Sequence, residues 1–314
     1  MENQVQSGDD GKILVHVGYP KCASSWLQSS VFTQAAAVVT PWPTVTNEVI
    51  EKFVWLSDRN FDAAAVRQEF FDDWRAIGQC GMAVVSHEVL VGNPILGTYG
   101  ADHVAERISK VFPEARILIC VREQASLAHS IWCEYVRRGG AVPFETFVSR
   151  EGVGTGYRSM CAPEYFDFAS VVAKYAELFG RDRVLCLPIE VLRRMPQEFS
   201  RRLAEFCGHD EFRNVPVDVV YPGAGVISTE IRRVFNRAFR PLSVGRGKRS
   251  ALDGMFGRVS SALGKRMPPS FELKRSARAK AAFMSEMRLQ CSESNLRLQD
   301  FVEFSLKELG YAMP

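Results

Sequence analysis

The amino-acid sequence predicts an α/β fold: one domain with a central parallel sheet, helices on both of its faces and a helical C-terminal part. Three observations carry this prediction. Short apolar runs of strand length (ILVHV at 13–17, AVVS at 83–86, ILICV at 117–121, VLCLP at 184–188) are separated by longer segments with helical periodicity. The runs are continuous rather than alternating, which is how strands covered on both faces read. From about Glu190 onward the strand-like runs cease and helical patterns take over.

Taken in order, ILVHV is bounded by the breakers Gly18 and Pro20, and a helix is expected over 24–34. AAAVVTPWP suggests a second short strand ending at Pro41, and residues 46–76 read as mainly helical. GMAVVSHEVL at 81–90 is strand-like and ends in Ser86, His87 and Glu88. A helix over 101–112 leads through Pro113 into ARILICVR at 115–122. The next helix, SLAHSIWCEYVRRG, is closed by Gly139 and Gly140. An amphipathic helix over 163–179 precedes a strand at 183–190. Helices then follow at 196–208, 228–239 and 291–310.

With 314 residues, 46% of them apolar and 24% charged, the chain has ordinary globular composition and can bury a large core. Its charge is unevenly spread. Between Arg240 and Lys280 there are eleven Lys or Arg against two Asp or Glu, so this stretch carries +9 of a total of +3, and the remainder is −6. Such a contrast suggests an anionic partner and reads as a basic insertion, a surface helix or a lid. The eight cysteines include no C-x-x-C pair, which argues against both a disulfide framework and a zinc site. Residues 1–11 are polar and acidic, unlike a signal peptide, and are expected to be flexible. No apolar run approaches the roughly 18 residues of a membrane span. The expectation is a soluble, cytoplasmic protein.

Chemistry gathers at three strand ends. In an open parallel sheet ligands bind beyond the carboxyl ends of the strands. Lys21 follows the first strand, His87 and Glu88 the next long one, and Arg122 follows ILICV. The stretch Ile13 to Trp26 reads as strand, tight loop and helix start, with Ser24 and Ser25 where unpaired amides and the helix dipole favour an anion. This is P-loop-like but not the triphosphate loop G-x-x-x-x-G-K-[ST]. Counting from Gly18, the second glycine position is Ala23 and the lysine position is Ser24, with Lys21 three residues earlier. Arg122, followed eight residues later by Ser130, suits a second phosphate by bidentate donation. His16, inside the first strand, reads as a buried histidine.

These residues resemble a known family. YPKCASSW is similar to the 5′-phosphosulfate loop of the sulfotransferases, usually YPKSGTTW, and VREQASLAHSIWCEYVRRGG resembles their 3′-phosphate segment. RVLCLPIEVLRRMPQEFSRRLAEFCG and the terminal SESNLRLQDF with ELGY also look like bacterial members, so the resemblance runs over most of the chain. It implies a P-loop-like fold of the sulfotransferase and nucleotide-kinase type, with 3′-phosphoadenosine 5′-phosphosulfate as donor and no metal requirement. Pro20, Lys21, Cys22, Ala23, Ser24, Ser25 and Trp26 would form the donor loop. In it Lys21 would steady the leaving oxygen, the two serines would hold the 5′-phosphate, and Trp26 would pack on adenine. Arg122 and Ser130 would hold the 3′-phosphate. Cys22 and Ala23 depart from the usual Ser-Gly, and Ala23 lacks glycine's freedom of φ.

The implied reaction is transfer of a sulfuryl group to an acceptor hydroxyl by in-line displacement, in which positioning and charge stabilisation dominate. The general base is His87 or Glu88. His87 is preferred because histidine titrates near neutral pH. Tyr99, Trp132, Tyr135, Arg137 and Arg138 are candidates to line an acceptor cleft for a carbohydrate or glycolipid. The basic stretch allows peripheral membrane contact, and no specific nucleic-acid partner is expected. A P-loop kinase or nucleotide hydrolase, and a non-catalytic anion-binding module on the same fold, are the competing readings. Arg122 stands where the first of these would need a magnesium-binding aspartate.

Overall fold

The protein is described here by a computed structural model over residues 12–44, 46–78, 81–149, 161–214, 225–239 and 251–314. In chain order the elements begin with β1 (Ile13–Val17) and α1 (Ser24–Trp26), which runs on as a wider π-helical turn to Val31. β2 (Val38–Val39), α2 (Glu48–Ile50), α3 (Ala63–Ala76), β3 (Met82–His87), α4 (Ala101–Val111) and β4 (Arg116–Val121) follow. Then come α5 (Gln124–Arg137), α6 (Phe144–Val148), α7 (Phe168–Phe179), β5 (Val184–Pro188), α8 (Ile189–Arg194) and α9 (Pro196–Cys207). The C-terminal part holds α10 (Val226–Phe239), α11 (Ala251–Lys265), α12 (Pro269–Leu298) and α13 (Leu306–Leu309).

Five strands form one all-parallel sheet in the order β2-β3-β1-β4-β5. β1 lies at its centre, with Val17 opposite His87 of β3 and His16 opposite Leu118 of β4. All five residues of ILVHV are buried, because both faces of the sheet are covered. On one face α7 packs on β4, β5 and α4, and α2 packs on β3. On the other, Trp26 of α1 meets Phe199 of α9 edge-on, with ring centroids 6.0 Å apart. The chain leaves β1 toward β2 on one side and leaves β4 toward β5 on the other. Right-handed crossovers therefore put the two following helices on opposite faces and open a crevice at the carboxyl ends of β1 and β4.

Several boundaries differ from expectation. The second strand is only two residues long, and the helical stretch 46–76 is broken before Asp62, whose carboxylate caps α3 by accepting from the amides of Ala64 and Ala65. The fifth strand ends at Pro188, because Glu190 already lies in α8. The last long helix starts at Pro269 rather than near 291 and ends at Leu298. A short 3-10 turn and α13 take the place of its expected end. Of the basic stretch, 251–265 is α11, packed on α10, and 269–280 opens α12. Its first part, 240–250, and the N-terminal 1–11 lie outside the described residues. Among the described residues no helix is long and apolar enough to cross a membrane.

Candidate active site

The loop after β1 is shaped by close packing and two unusual backbone conformations. A Cβ at Gly18 would stand 2.9 Å from Ser24 Oγ and 3.0 Å from the His16 ring, so glycine here leaves room for both side chains. Lys21 (φ 67°) and Ala23 (φ 64°) are both left-handed, one residue apart, and the Cys22 amide donates to the Tyr19 carbonyl at 3.2 Å. Left-handed residues in such a loop can turn backbone N–H groups toward a concavity that suits an anion, although the Cys22 amide is itself spent on Tyr19. Ser24 is buried, and its hydroxyl lies 3.5 Å from the Tyr19 carbonyl; Ser25 is exposed on the first turn. The Cys22 thiol is wholly buried and its pKa is pushed well up by desolvation, so it packs rather than reacts.

Lys21 reaches from this loop to α5. Its Nζ donates to Glu134 Oε2 at 3.1 Å while its side chain stays 36% exposed. The same carboxylate accepts from Arg137 Nε and Arg138 Nε, each at 2.8 Å. Glu134 is 8% exposed. Burial alone would raise its pKa, but the Arg137, Arg138 and Lys21 contacts hold it down to about 2. Ser126, Ser130 and Glu134 are spaced by four, so they share one flank of α5 running from Arg122 toward Lys21.

His87 and Glu88 part company here. Burial raises the Glu88 carboxyl, and its nearest charged influences are Lys21, Glu134 and Arg138. It therefore stands over the same crevice. The His87 ring is lowered by burial, and its Nδ1 accepts the Val89 amide at 3.1 Å. A neutral ring that accepts at Nδ1 carries its proton on Nε2 and has no lone pair left to offer. The His16 ring is held neutral, at about 3, by complete burial with a smaller contribution from His87; its Nδ1 pairs with Ser86 Oγ at 2.8 Å.

At the end of β4, Arg122 is a half-buried guanidinium that meets no carboxylate among the described residues. Its NH1 lies 3.5 Å from the Lys21 carbonyl, and its buried Nε has no partner. Burial lowers its pKa, and nearby Arg193 of α8 adds to this. Glu190 and Glu123 lie near enough to offset part of this, yet neither forms an ion pair with Arg122, so its guanidinium keeps donors that an anion can take. The scaffold behind it is held by hydrogen bonds. Glu123 caps α5 through the amides of Ala125 and Ser126, and Glu190 accepts from the Glu123 amide at 3.2 Å and from Tyr311 Oη at 3.0 Å. Gln124 donates to Asn295 Oδ1 of α12 at 2.6 Å.

The crevice thus brings together Pro20, Lys21, Cys22, Ala23, Ser24, Ser25, Glu88, Arg122 and the Ser130 flank of α5. Trp26 lies elsewhere: it is 4% exposed and buried against Phe199, leaving little ring for a ligand. Two of the expected cleft residues are also turned away. Trp132 is fully buried, its Nε1 donating to the Val142 carbonyl at 3.0 Å. Tyr135 covers Gly140, where a Cβ would come within 2.3 Å of its ring, and accepts the Val142 amide. Arg137 and Arg138 are at the rim through Glu134, and Tyr99 joins an edge-to-face chain with Tyr165 and Tyr19. Glu134, Arg193, Glu190 and Tyr311 were missed in the sequence. The four-residue step from Ser130 could have found Glu134; no local signal marks the other three. Among the described residues no group of three His, Cys, Asp or Glu side chains is arranged for a metal ion.

No family model and no curated protein matches this chain. Among solved structures, a sulfotransferase from Alicyclobacillus acidocaldarius is similar over 82% of this chain and 97% of its own, at 17% identity and a TM-score of 0.50. The sulfotransferase STF9 from Mycobacterium avium is 12% identical, over 74% of this chain and 69% of its own, with a TM-score of 0.38. Mouse sulfotransferase SULT7A1 complexed with PAP is 16% identical, over 92% and 89%, with a TM-score of 0.33. The first of these shows that the chain has a sulfotransferase-type α/β fold.

Proposed function

We propose that this protein is a sulfotransferase that moves the sulfuryl group of 3′-phosphoadenosine 5′-phosphosulfate onto an acceptor hydroxyl. The observation that carries the reading is the pair of cations at the crevice. Lys21 sits in a left-handed loop after β1, and Arg122, whose buried Nε has no partner, sits after the neighbouring β4. Two anionic groups of one ligand fit there: a 5′-phosphosulfate at the loop and a 3′-phosphate at Arg122 with Ser130. The donor supplies an activated sulfuryl group. Lys21 neutralises the charge on the phosphate oxygen as its bond to sulfur breaks, and the acceptor oxygen takes the sulfur from the opposite side. Glu88 accepts the acceptor's proton. Its raised pKa brings it closer to working pH, and it faces Lys21, whereas His87 spends its free lone pair on Val89. The expected preference for His87 therefore gives way to Glu88. The half-exposed Arg137 and Arg138 beside the crevice support a carbohydrate or glycolipid acceptor.

Calorimetric titration of 3′-phosphoadenosine 5′-phosphate tests the donor. Wild type is expected to bind it without metal, Arg122→Ala to lose at least about tenfold in affinity, corresponding to a lost charge-assisted bond, and ATP to bind weakly. Preference for magnesium–ATP would instead mark a nucleotide kinase or hydrolase. In turnover, Glu88→Gln should lower kcat by roughly 10²- to 10⁴-fold while leaving this binding intact, and His87→Gln should cost less. The rate should rise with pH through the raised Glu88 pKa, since only the carboxylate accepts a proton, and Glu88→Gln should lose that limb. The reverse order of the two variants would return the base role to His87.

A further inference from the structure

We infer that α11, the turn after it and the start of α12 form a docking surface for an anionic lipid membrane. The inner side of α11 is built for close packing on α10. Phe256 stacks on Phe235 with ring centroids 5.1 Å apart, Ser260 is buried, and a Cβ at Gly264 would stand 2.7 Å from Ser228. The flank next to it, one residue back along the helix, is apolar and open. Met255, Val259 and Leu263, spaced by four along one stripe, are 42%, 40% and 42% exposed. The turn and the start of α12 add Met267, Phe271 and Leu273 at 41%, 55% and 72%. Half of the twelve exposed large apolar side chains among the described residues thus fall between 255 and 273. Single exposed apolar residues are ordinary, but a concentration of this kind marks an interaction surface.

Charge selects the occupant. Residues 251–280 contain seven Lys or Arg and two acidic residues, a net +5. One of the two acids, Glu272, is spent on the amides of Val226 and Ile227 at the start of α10. Arg258, Arg266, Lys274, Arg275 and Arg278 are exposed and pair with no carboxylate among the described residues, while Lys280 reaches Glu123 at 3.4 Å. A second copy of this chain would bring the same positive charge to the contact and be repelled. A nucleic acid would leave the apolar stripe in water. Exposed apolar side chains interspersed with exposed cations fit the boundary of an anionic bilayer, where the apolar groups enter the acyl region and the cations meet headgroups. α11 is tied to the rest of the molecule through α10, whose Asn236 donates to the carbonyls of Val136 and Gly140 at the end of α5, while α12 packs directly on α5, α6 and α7.

The test needs no donor or acceptor, so its outcome is separate from that of the sulfotransferase reading. Flotation of the full chain is measured with phosphatidylcholine vesicles and with the same vesicles containing a minority of phosphatidylglycerol. Wild type is expected to float with the anionic vesicles only, and less at high salt. Met255→Ser/Val259→Ser/Leu263→Ser should lose binding while still unfolding cooperatively with only a modestly lowered thermal melt, because each side chain is already about two-fifths exposed. Arg258→Gln/Arg266→Gln/Lys274→Gln/Arg275→Gln should weaken the partition about fivefold for each charge removed. Equal binding to both vesicles, no binding by wild type, or full binding by the serine variant would overturn the proposal. So would a self-associating wild type that the serine variant renders monomeric in the absence of lipid.

Discussion

Ala23 holds a left-handed backbone that costs a residue with a Cβ roughly 1–2 kcal/mol. The sequence raised this position as the loop's weak point, and the structure shows the loop formed nonetheless, with the strain retained. Ala23→Gly is therefore expected to raise stability by up to about 1 kcal/mol, the relief being offset in part by the glycine's larger entropy in the unfolded chain. Denaturant unfolding checks this, and a clear loss of stability would show that the φ is not strained. At Glu134 the effect is one of charge. Its pKa falls from 4.5 to about 2 on folding, so the unfolded chain binds more protons between those values. The linked stability, on the order of 3 kcal/mol, is fully present above pH 4.5 and lost as pH falls through about 2. His16 adds a second loss over the window from 6.5 to about 3, where the unfolded histidine protonates and the folded one does not. Glu134→Gln should be less stable at neutral pH, and its stability should vary less between pH 4.5 and 2. Unfolding midpoints across that range would show it.

Single elements carry more than their own residues. The α5 helix has a flank of Ser126, Ser130 and Glu134 toward the crevice and an opposite side closed by Trp132 and Val136 in the core. Its helical period was legible, and so was Ser130, but which of its aromatics faced the crevice was not. Trp132 and Tyr135 are aromatic and near the rim in sequence, yet their direction is set by the 140–142 loop folding back onto them. The end of α5 depends on α10. Asn236 satisfies the carbonyls of Val136 and Gly140 at 2.7 and 2.8 Å. Asn236→Ala strands both, and a cost of roughly 1–3 kcal/mol in unfolding free energy is expected. A cost near zero would mean that water replaces the amide there.

At the scale of the molecule, the end of the chain secures a site that begins at its first strand. Tyr311 donates to Glu190, Glu190 accepts the Glu123 amide, and Asn295 pairs with Gln124, all beside Arg122. Tyr311→Phe removes one partner of a buried carboxylate. It should lower stability by about 1–3 kcal/mol and weaken 3′-phosphoadenosine 5′-phosphate binding without touching the ligand. Unchanged stability would release Glu190 from its supporting role.

The sequence by itself determined the parallel α/β sheet and most helix positions. That Lys21, Glu88 and Arg122 follow strand ends was also legible, because strand-length apolar runs and breakers are local signals; His87 instead closes β3, paired with Val17. The tertiary structure alone decided the order β2-β3-β1-β4-β5, which puts Lys21 and Arg122 at one crevice. It also set Glu134 against Lys21 across 113 residues of chain, turned Trp26 into the core, and engaged His87 with Val89. Strand order, side-chain direction and buried charge pairing depend on contacts between distant segments, and no local pattern encodes them.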